Sequence, residues 1–432
     1  MIDKSVADRM REDWNTRAQE DANFYVAFGR RNQEAGEFFE TGDEIVHGLR
    51  WEMKRLPARA SRRAWRALEI GCGPGRLMRP MSRHFGEIHG VDVSDEMIAR
   101  ARANLQGIPH AHAYHTSGAD LAPFADESFD FVYSYAVFQH IPSKDVVFEY
   151  LAEAHRVLKP GGLIRAQVNG LPETAARYDT WSGVRISAQE LRDFARRYDF
   201  QLLALEGVST QYMWTSWIKR EPGWWQGRPD GRTRIRRITN AHNSEPVAPA
   251  RGRFASVTLW MECLPWNCDL NHMDVRVAGR KAFSTYIGPP EPDGLQQLNV
   301  MLPEVGRTGL VVVDLTWNGE KLCEPSKLRV IPPGPPVPRI LSVCDGINML
   351  SGTDIVSRIV KVTLEEGDDL GSFEARIAGQ PVETIGVFCA DPLPPRFEIN
   401  LRLPDSVGPG TYLLELQLGR RKFAGATVKV VQ

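Results

Sequence analysis

A short apolar strand that runs directly into three closely spaced glycines constrains this chain more than any other segment. Residues 68–76 read Leu-Glu-Ile-Gly-Cys-Gly-Pro-Gly-Arg, and apolar residues then recur at helical spacing at Leu77, Met81 and Phe85. Glycine allows positive φ angles and lets a ligand approach the backbone closely. The segment therefore predicts a strand, a tight turn and a helix whose unpaired N–H groups face a ligand.

The residues after this turn alternate between strand and helix patterns. Strands are predicted at 67–70, 88–92, 111–115, 129–134, 163–168, 201–207 and 212–219, and helices at 75–85, 95–105, 144–158 and 187–198. This alternation predicts an α/β Rossmann-like domain with a seven-stranded sheet, whose last two strands form an antiparallel hairpin at one edge. Such sheets bind ligands at the carboxyl ends of their strands. Two further helices, at 4–20 and 34–56, are predicted to form a lid.

Beyond residue 220 helical periodicity is rare and short alternating strands replace it. Two blocks of about 100 residues repeat each other: 273–279 resembles 373–379, 298–303 resembles 399–404, and 237–238 resembles 339–340. Such blocks predict two all-β, immunoglobulin-like sandwich modules. The Pro-rich segment 331–338 predicts a stiff linker between them. The predicted domains are a helical lid at 1–57, the α/β domain at 58–222, and β-sandwiches at 234–332 and 338–432.

Composition excludes several classes of function. The 432 residues carry a formal net charge of −1, which argues against binding to nucleic acid or to an anionic membrane through overall charge. No apolar run is long enough for a membrane span, and the N-terminus has no apolar signal region, so a cytoplasmic location is expected. The six cysteines lack zinc-finger spacing, and His110, His112 and His115 have no acid or cysteine to complete a metal site.

Acidic residues follow the glycine turn at the expected strand ends. Asp92 ends the second predicted strand, where a carboxylate accepts hydrogen bonds from ribose hydroxyls, and Asp120 follows the third. Each has a structural alternative: Asp92 as a helix N-cap, although Ser94 suits that position better, and Asp120 as a turn residue. Glu69 has the alternative of a surface carboxylate. A Lys-Pro-Gly-Gly turn at 159–162 precedes the fifth strand.

Taken in order, these motifs resemble the class I S-adenosylmethionine-dependent methyltransferases, in their small-molecule group, over about residues 60–220. The resemblance implies S-adenosylmethionine as cofactor. It places Glu69 and the glycines at the methionine and ribose portion, Asp92 at the ribose, and Asp120 at the adenine. The implied cofactor contacts are Glu69, Gly71, Cys72, Gly73, Gly75, Asp92, Val93, Asp120, Leu121 and Tyr135. An acid before the turn also disfavours a dehydrogenase, whose pyrophosphate it would repel.

The residues after the fourth strand bear on the chemistry. Tyr135 is expected to face the transferring methyl group, and His140 is a candidate base for a substrate hydroxyl or amine, with a packed loop residue as the alternative. The segment 134–137, Ser-Tyr-Ala-Val, lacks the Asp/Asn-Pro-Pro-aromatic turn of enzymes that methylate base amines. Nucleobase modification is therefore disfavoured.

The acceptor pocket is expected between the N-terminal lid, at 20–40, and the insertion after the fifth strand, at 170–186. The candidate substrate-binding residues are Tyr25, Arg30, Tyr178, Trp181 and Arg185. The predicted activity is methyl transfer to an O or N nucleophile of a small molecule or of a glycan- or lipid-linked substrate. The alternative is a cofactor-binding scaffold whose β-sandwich modules bind a partner or carbohydrate; these modules could also form a homodimer.

Overall fold

The computed structural model describes residues 4–27, 33–58, 61–173, 178–252, 254–347, 351–367, 369–391 and 395–431. The chain divides into two compact units. The first contains Met1–Glu20 and Phe39–Pro333, and the second contains Asp21–Phe38 and Gly334–Gln432. The division at Pro333 falls inside the Pro-rich segment predicted as a linker. None of the helices in the described part of the chain is long and apolar enough to cross a membrane.

The helices follow the predicted pattern, except that the helix predicted over 75–85 is shorter. They are α1 Lys4–Ala27, α2 Ala35–Glu52, α3 Met78–Met81, α4 Asp95–Asn104, α5 Lys144–Val157 and α6 Ala188–Arg197. Helix α1 is interrupted at Asp21, whose φ of −168° and ψ of 88° are extended. The helix predicted over 75–85 is confined to α3. The N–H of Gly75 bonds back to Cys72 O in a turn, and Pro80 has no N–H to donate.

The α/β part contains seven strands, close to the predicted ones. They are β1 Arg66–Ile70, β2 Glu87–Asp92, β3 Ala111–His115, β4 Phe129–Ser134, β5 Leu158–Val168, β6 Phe200–Glu206 and β7 Met213–Lys219. Their order is β3-β2-β1-β4-β5-β7-β6. Strands β1 to β5 pair in parallel, whereas β7 runs antiparallel to both β5 and β6. The Rossmann-like sheet and its antiparallel hairpin are therefore confirmed.

The remaining strands form an all-β region. In the first block they are β8 Arg234–Asn240, β9 Val247–Pro249, β10 Ser256–Glu262, β11 Met273–Val277, β12 Arg280–Lys281, β13 Phe283–Ile287, β14 Gln296–Met301, β15 Gly309–Trp317, β16 Glu320–Lys321 and β17 Ser326–Ile331. In the second they are β18 Arg339–Asp345, β19 Asp354–Ile355, β20 Ile359–Glu365, β21 Phe373–Ile377, β22 Gln380–Pro381, β23 Glu383–Asp391, β24 Arg396–Arg402, β25 Gly410–Leu418, β26 Arg421–Lys422 and β27 Ala426–Val430.

The α/β sheet does not end at its hairpin. Strand β13 pairs with β6 through Tyr286 and Ala204, and the sheet continues through β14 and β10 to β8, giving eleven strands. The expected edge position of the hairpin is thus wrong, because β6 has a second neighbour more than 80 residues away in sequence. Residues 58–222 and 234–332, predicted as two domains, lie in one compact unit.

The two all-β blocks share one strand order. The order β8-β10-β14-β13 of the first block corresponds to β18-β20-β24-β23 of the second. The similar segments 273–279 and 373–379 both form a strand and the turn of a tight hairpin. Positive φ angles occur at Ala278 and Gly279 (51° and 78°) and at Ala378 and Gly379 (50° and 76°), as a two-residue hairpin turn requires. The predicted domain boundaries themselves stay a prediction.

A buried polar cluster joins the end of α2 to β13. Glu52 is buried, Tyr286 Oη donates to its Oε1 at 3.0 Å, and Arg55 Nε donates to its Oε2 at 2.8 Å. Trp51 Nε1 donates to Tyr286 Oη at 2.9 Å. Burial alone would raise the pKa of Glu52, but the charges of Arg55 and Arg165 lower it. This cluster ties the first all-β block to the α/β part within the first unit.

Candidate functional site

The glycine turn connects β1 to α3 at the carboxyl end of the parallel sheet. The N–H groups of Gly71 and Cys72 donate to Val91 O at 2.8 and 2.9 Å, which fixes the turn against the end of β2. Gly71, Gly73 and Gly75 have φ angles of 72°, 52° and 83°. A Cβ atom on Gly71 would lie 2.4 Å from Val137 Cγ2. The turn thus needs glycine both for its backbone angles and for the close approach of the loop after β4.

Glu69 lies in β1, immediately before the turn, and is not a surface residue. It is only 3% exposed, and Tyr133 Oη of the neighbouring strand β4 donates to its Oε2 at 2.9 Å. Burial raises the pKa of Glu69 to about 8, against the opposing effects of the Tyr133 hydrogen bond and the Arg76 charge. The carboxyl group is therefore poised to ionise when a cation binds beside it.

Asp92 ends β2 and holds the glycine turn from the other side. Its Oδ2 accepts from Gly73 N at 2.9 Å, and its Oδ1 accepts from Ser94 N at 2.9 Å. Burial raises its pKa, while these backbone hydrogen bonds oppose the rise. Ser94 is the N-cap of α4, accepting from Met97 N at 3.1 Å, so Asp92 does not have that role. Each Asp92 oxygen keeps a second lone pair for a ligand hydroxyl.

The predicted adenine-side residues lie in the loops after β2 and β3. Val93 is buried, and a Cβ atom on Gly118 would approach its Cγ2 to 2.6 Å, so the two loops pack tightly. Leu121 is fully buried. Asp120 accepts from Ala122 N at 3.0 Å and from Ser117 Oγ. Both of its oxygens thus take part in a local turn, as in the structural alternative, and its contact with a base stays a prediction.

Cys72 and the histidines in and just before β3 have structural surroundings. The Cys72 thiol is buried, and burial raises its pKa well above the usual value, which disfavours a thiolate nucleophile. His110 and His115 contact the carbonyl oxygens of Ser82 and Val93, at 3.0 and 3.1 Å. The described residues contain no group of three or more His, Cys, Asp or Glu that could hold a metal ion.

Tyr135 follows β4 and lies over the glycine turn. Its ring stacks on Trp214 of β7 with a centroid distance of 5.7 Å, and the Arg76 guanidinium lies 5.5 Å from the ring centroid. The next residue, Ala136, has a φ of 55°, and its N–H donates to Gln167 Oε1 at 3.2 Å. The loop after β4 is thereby fixed at the carboxyl end of the sheet, next to the turn.

His140 lies farther along the same loop, in a single 3-10 turn at Phe138–His140. Its Nδ1 is 2.9 Å from Trp181 O, and because a carbonyl only accepts, Nδ1 carries the proton and Nε2 has the lone pair. The Gln139 side-chain amide donates to this Nε2 at 3.3 Å. The ring packs against Trp14 and Trp181, at centroid distances of 5.6 and 5.8 Å. Burial lowers the pKa of His140 to about 4. At neutral pH the imidazole is therefore neutral.

Helix α1 contacts both sides of this site. Asn15 Oδ1 accepts from Ser94 Oγ at 2.6 Å and from Glu96 N at 3.3 Å, next to Asp92. On the other side, Arg17 donates to Thr180 O and Thr180 Oγ1 at 3.1 and 3.0 Å. The part of α1 in the first unit thus connects the N-terminus of α4 to the loop before α6.

The predicted substrate-binding residues are only partly brought together. Trp181 is 41% exposed and packs on His140, Tyr178 packs on the core of the same unit, and Arg185 donates to Pro172 O. Tyr25 belongs to the second unit. Arg30 lies outside the described residues.

Sequence reasoning missed four residues of this region. Trp14, Asn15 and Arg17 lie in a helix that reads as charged and surface-exposed, and the only signal was one aromatic and one amide residue within it. Arg76 follows the last glycine and reads as the start of a helix. In the structure its side chain is buried beside Tyr135.

The comparison with known proteins fits this geometry. Residues 68–166, which span β1 through most of β5, match the protein family described as "Methyltransferase domain". The chain contains a class I methyltransferase domain. The cofactor of this domain is S-adenosylmethionine, and the residues present fit it. The turn offers backbone N–H groups, Asp92 can accept from ribose hydroxyls, and Glu69 before the turn suits a cationic cofactor without phosphates.

Relatives of this methyltransferase domain include an N-methyltransferase and an O-methyltransferase. Phosphoethanolamine N-methyltransferase 2 of Caenorhabditis elegans is 30% identical over 153 residues, which are 34% of this chain and 34% of the relative. A ubiquinone biosynthesis O-methyltransferase of Ruegeria pomeroyi is 37% identical over 114 residues, which are 26% of this chain and 44% of the relative. The chain thus spans less than half the length of these curated relatives.

One solved structure with a similar domain is phosphoethanolamine N-methyltransferase 1 of Haemonchus contortus, in complex with phosphoethanolamine and S-adenosylhomocysteine. It is 15% identical in sequence, with a TM-score of 0.37. The alignment covers 52% of this chain and 51% of that one.

Proposed function

We propose that this protein transfers a methyl group from S-adenosylmethionine to an oxygen or nitrogen nucleophile of a small molecule or of a glycan- or lipid-linked substrate. The observation that carries the proposal is the hydrogen bond from Gly73 N to Asp92, which joins the glycine turn after Glu69 to the end of β2. When bound, the cofactor supplies an electrophilic methyl group on a positively charged sulfur. Such a transfer needs mainly correct positioning of the two reactants.

These contacts support the following proposal for the cofactor side of the site. Glu69 and the glycine turn bind the methionine and ribose portion, with Cys72 contributing its backbone. Asp92 accepts hydrogen bonds from the ribose hydroxyls, because each of its oxygens has a lone pair beyond its backbone contact. Val93 and Leu121 pack near the adenine, and Asp120 accepts from its exocyclic amine.

The acceptor side is formed by the loop after β4. Tyr135 faces the transferring methyl group, and the acceptor donates a hydrogen bond to the lone pair of His140 Nε2 in place of the Gln139 amide, which contacts it at 3.3 Å in the free protein. Neutral His140 is a weak base, with its pKa near 4. A nucleophile that has begun to bond to the methyl carbon is a much stronger acid than the free acceptor, so even this base can take its proton.

The side chains near His140 support a class of acceptor. Trp181, Tyr178 and Arg185 combine aromatic surface with positive charge, which suits a polar or acidic molecule. The relatives described above include both an N- and an O-methyltransferase. Both kinds of acceptor atom therefore belong to the proposal.

The all-β blocks are proposed to be immunoglobulin-like sandwich modules that recruit a substrate or form a homodimer. Their shared strand order supports their origin as a repeat. The alternative of a non-catalytic scaffold that binds the cofactor is not favoured, because the matched family and the relatives named above are methyltransferases.

A transfer assay tests the proposal. The full chain is incubated with methyl-labelled S-adenosylmethionine and with separate fractions of small molecules, glycans and lipids. We expect label in one fraction, and His140→Asn should lower the rate by about 10²-fold or more if His140 acts as base. His242→Asn, on the exposed surface of the first all-β block, is the control. Cofactor binding without labelling of any fraction would favour the scaffold instead.

A further inference from the structure

Arg76 is a buried cation at the glycine turn. Its side chain is 6% exposed, although it directly follows Gly75 in a loop. Helix α2 covers it: a Cβ atom on Gly42 would lie 2.7 Å from Arg76 O and 3.3 Å from Arg76 Cγ. The close packing of α2 on this residue removes the guanidinium from bulk water.

The guanidinium has few partners for such a position. Arg76 Nη1 donates to the neutral hydroxyl of Thr41 at 3.1 Å, and its face lies over the Tyr135 ring. Arg76 Nε is buried and has no hydrogen-bond partner. No carboxylate among the described residues lies within 4.0 Å of the guanidinium.

An arginine buried in this way carries an uncompensated charge. Removing a cation from water without a paired anion costs several kcal/mol. Glu69, a carboxyl group that interacts electrostatically with Arg76, does not remove this cost at neutral pH, because burial raises the pKa of Glu69 to about 8. The missing partner of Arg76 is therefore an anion that arrives with a ligand.

We infer that Arg76 binds the carboxylate of the methionine portion of S-adenosylmethionine. This inference rests on the proposed cofactor-dependent function and goes beyond the residues assigned above. The carboxylate is the only anionic group of the cofactor, and the methionine portion is the part expected at the glycine turn. The unpartnered Nε is available to donate a charge-assisted hydrogen bond to it.

The assignment also divides the recognition of the amino-acid end between two side chains. Arg76 receives the carboxylate, and Glu69 receives the positively charged ammonium or sulfonium group. Both side chains lie at the same turn and interact electrostatically with each other. The bound cofactor thus places a negative charge beside Arg76 and a positive charge beside Glu69. The described residues alone place no such charge beside either group.

Calorimetry with two related ligands tests this assignment. S-adenosylmethionine and decarboxylated S-adenosylmethionine are titrated into the full chain and into Arg76→Met, which removes the charge and keeps an unbranched apolar stem. A hydrogen bond to a charged group contributes enough for about a 10- to 100-fold change in Kd. We expect Arg76→Met to raise the Kd of S-adenosylmethionine by that factor and the Kd of the decarboxylated analogue by less than about threefold.

Two controls separate the possible outcomes. Arg79→Met alters an exposed arginine in α3, three residues after Arg76. It should not change the affinity for either ligand. If Arg76→Met weakens both ligands equally, or neither, the carboxylate assignment is overturned while cofactor binding stands. If the unaltered chain binds neither ligand, both the proposed function and the carboxylate assignment are overturned. Arg76→Lys should retain part of the selectivity for the carboxylate, because it keeps the charge without the planar guanidinium.

Discussion

Glu69 and Arg76 show how single residues at the glycine turn anticipate a charged ligand. Each is buried, and each has a neutral hydroxyl group as hydrogen-bond partner: Tyr133 for the carboxyl group and Thr41 for the guanidinium. Such an arrangement reduces stability in the free protein, because the buried charge of Arg76, and that of Glu69 once it ionises, are not matched at close range. It becomes favourable when a zwitterionic cofactor binds between them.

The raised pKa of Glu69 makes this cost depend on pH. In the folded protein the pKa is about 8, against an ordinary value of 4.5. The folded state binds the extra proton between these values, so its stabilising effect is fully present below pH 4.5 and is lost as the pH rises through 8. A bound cation reverses the preference by favouring the ionised carboxylate.

Cofactor binding should therefore depend on Glu69 and on pH. We expect the ratio of the Kd of Glu69→Gln to that of the unaltered chain to rise with pH from 6 to about 8, by up to about tenfold per unit, and then to level off. The measurement is calorimetry with S-adenosylmethionine at a series of pH values. The α-amino group of the ligand titrates in the same range, and the glutamine variant corrects for it. A ratio that is flat with pH would show that Glu69 does not face the cation.

At the scale of elements, α1 connects the two sides of the site. Asn15 contacts the N-cap residue of α4, and Arg17 contacts Thr180 in the loop before α6. Both residues lie within the segment 1–57 that is predicted as a lid. The lid function stays a prediction. These hydrogen bonds are the contacts through which α1 would perform it.

We expect Asn15→Ala to loosen α1 without unfolding the α/β sheet. The variant removes the acceptor of Ser94 Oγ and Glu96 N, a loss of about 1 kcal/mol for each neutral hydrogen bond. Hydrogen exchange should become faster in the first half of α1 and at the start of α4. Arg11→Ala, which removes an exposed ion pair with Asp8 within α1, is the matched control and should have little effect. Equal exchange in Asn15→Ala and the unaltered chain would contradict the connecting role of Asn15.

The elements that the sequence predicts well are those defined by local pattern. Strands β1 to β7 were predicted because apolar runs and glycine turns mark them within a few residues. The pairing of β13 with β6 is not predicted, because it depends on a contact between Tyr286 and Ala204 that no local pattern encodes. Arg76 was missed for a similar reason. Its burial comes from α2, whose packing on the turn the sequence does not reveal.

At the scale of the molecule, the described residues form two hydrophobic cores. One extends from the α/β part into the first all-β block, where it includes Leu259 and Trp317, and the other lies within the second block, where it includes Val362 and Leu416. The candidate cofactor residues all belong to the first compact unit. The two units should therefore respond differently to the cofactor.

Calorimetric unfolding tests this separation. We expect two transitions, of which only the one from the first unit shifts upward when S-adenosylhomocysteine, the demethylated cofactor, is added. A ligand present at 100 times its Kd stabilises the state that it binds by about 2.7 kcal/mol. The transition of the second unit should not move. A single transition, or an equal shift of both, would show that the units unfold together.

The central claim is that the glycine turn and Asp92 form the site of S-adenosylmethionine. The most direct measurement is the Kd of this cofactor for the unaltered chain, for Asp92→Ala and for the exposed neighbour Asp95→Ala. We predict measurable binding that Asp92→Ala weakens about tenfold or more, since it removes the acceptor for the ribose hydroxyls, and that Asp95→Ala leaves unchanged. No binding to the unaltered chain, or the same Kd in Asp92→Ala, would contradict the claim.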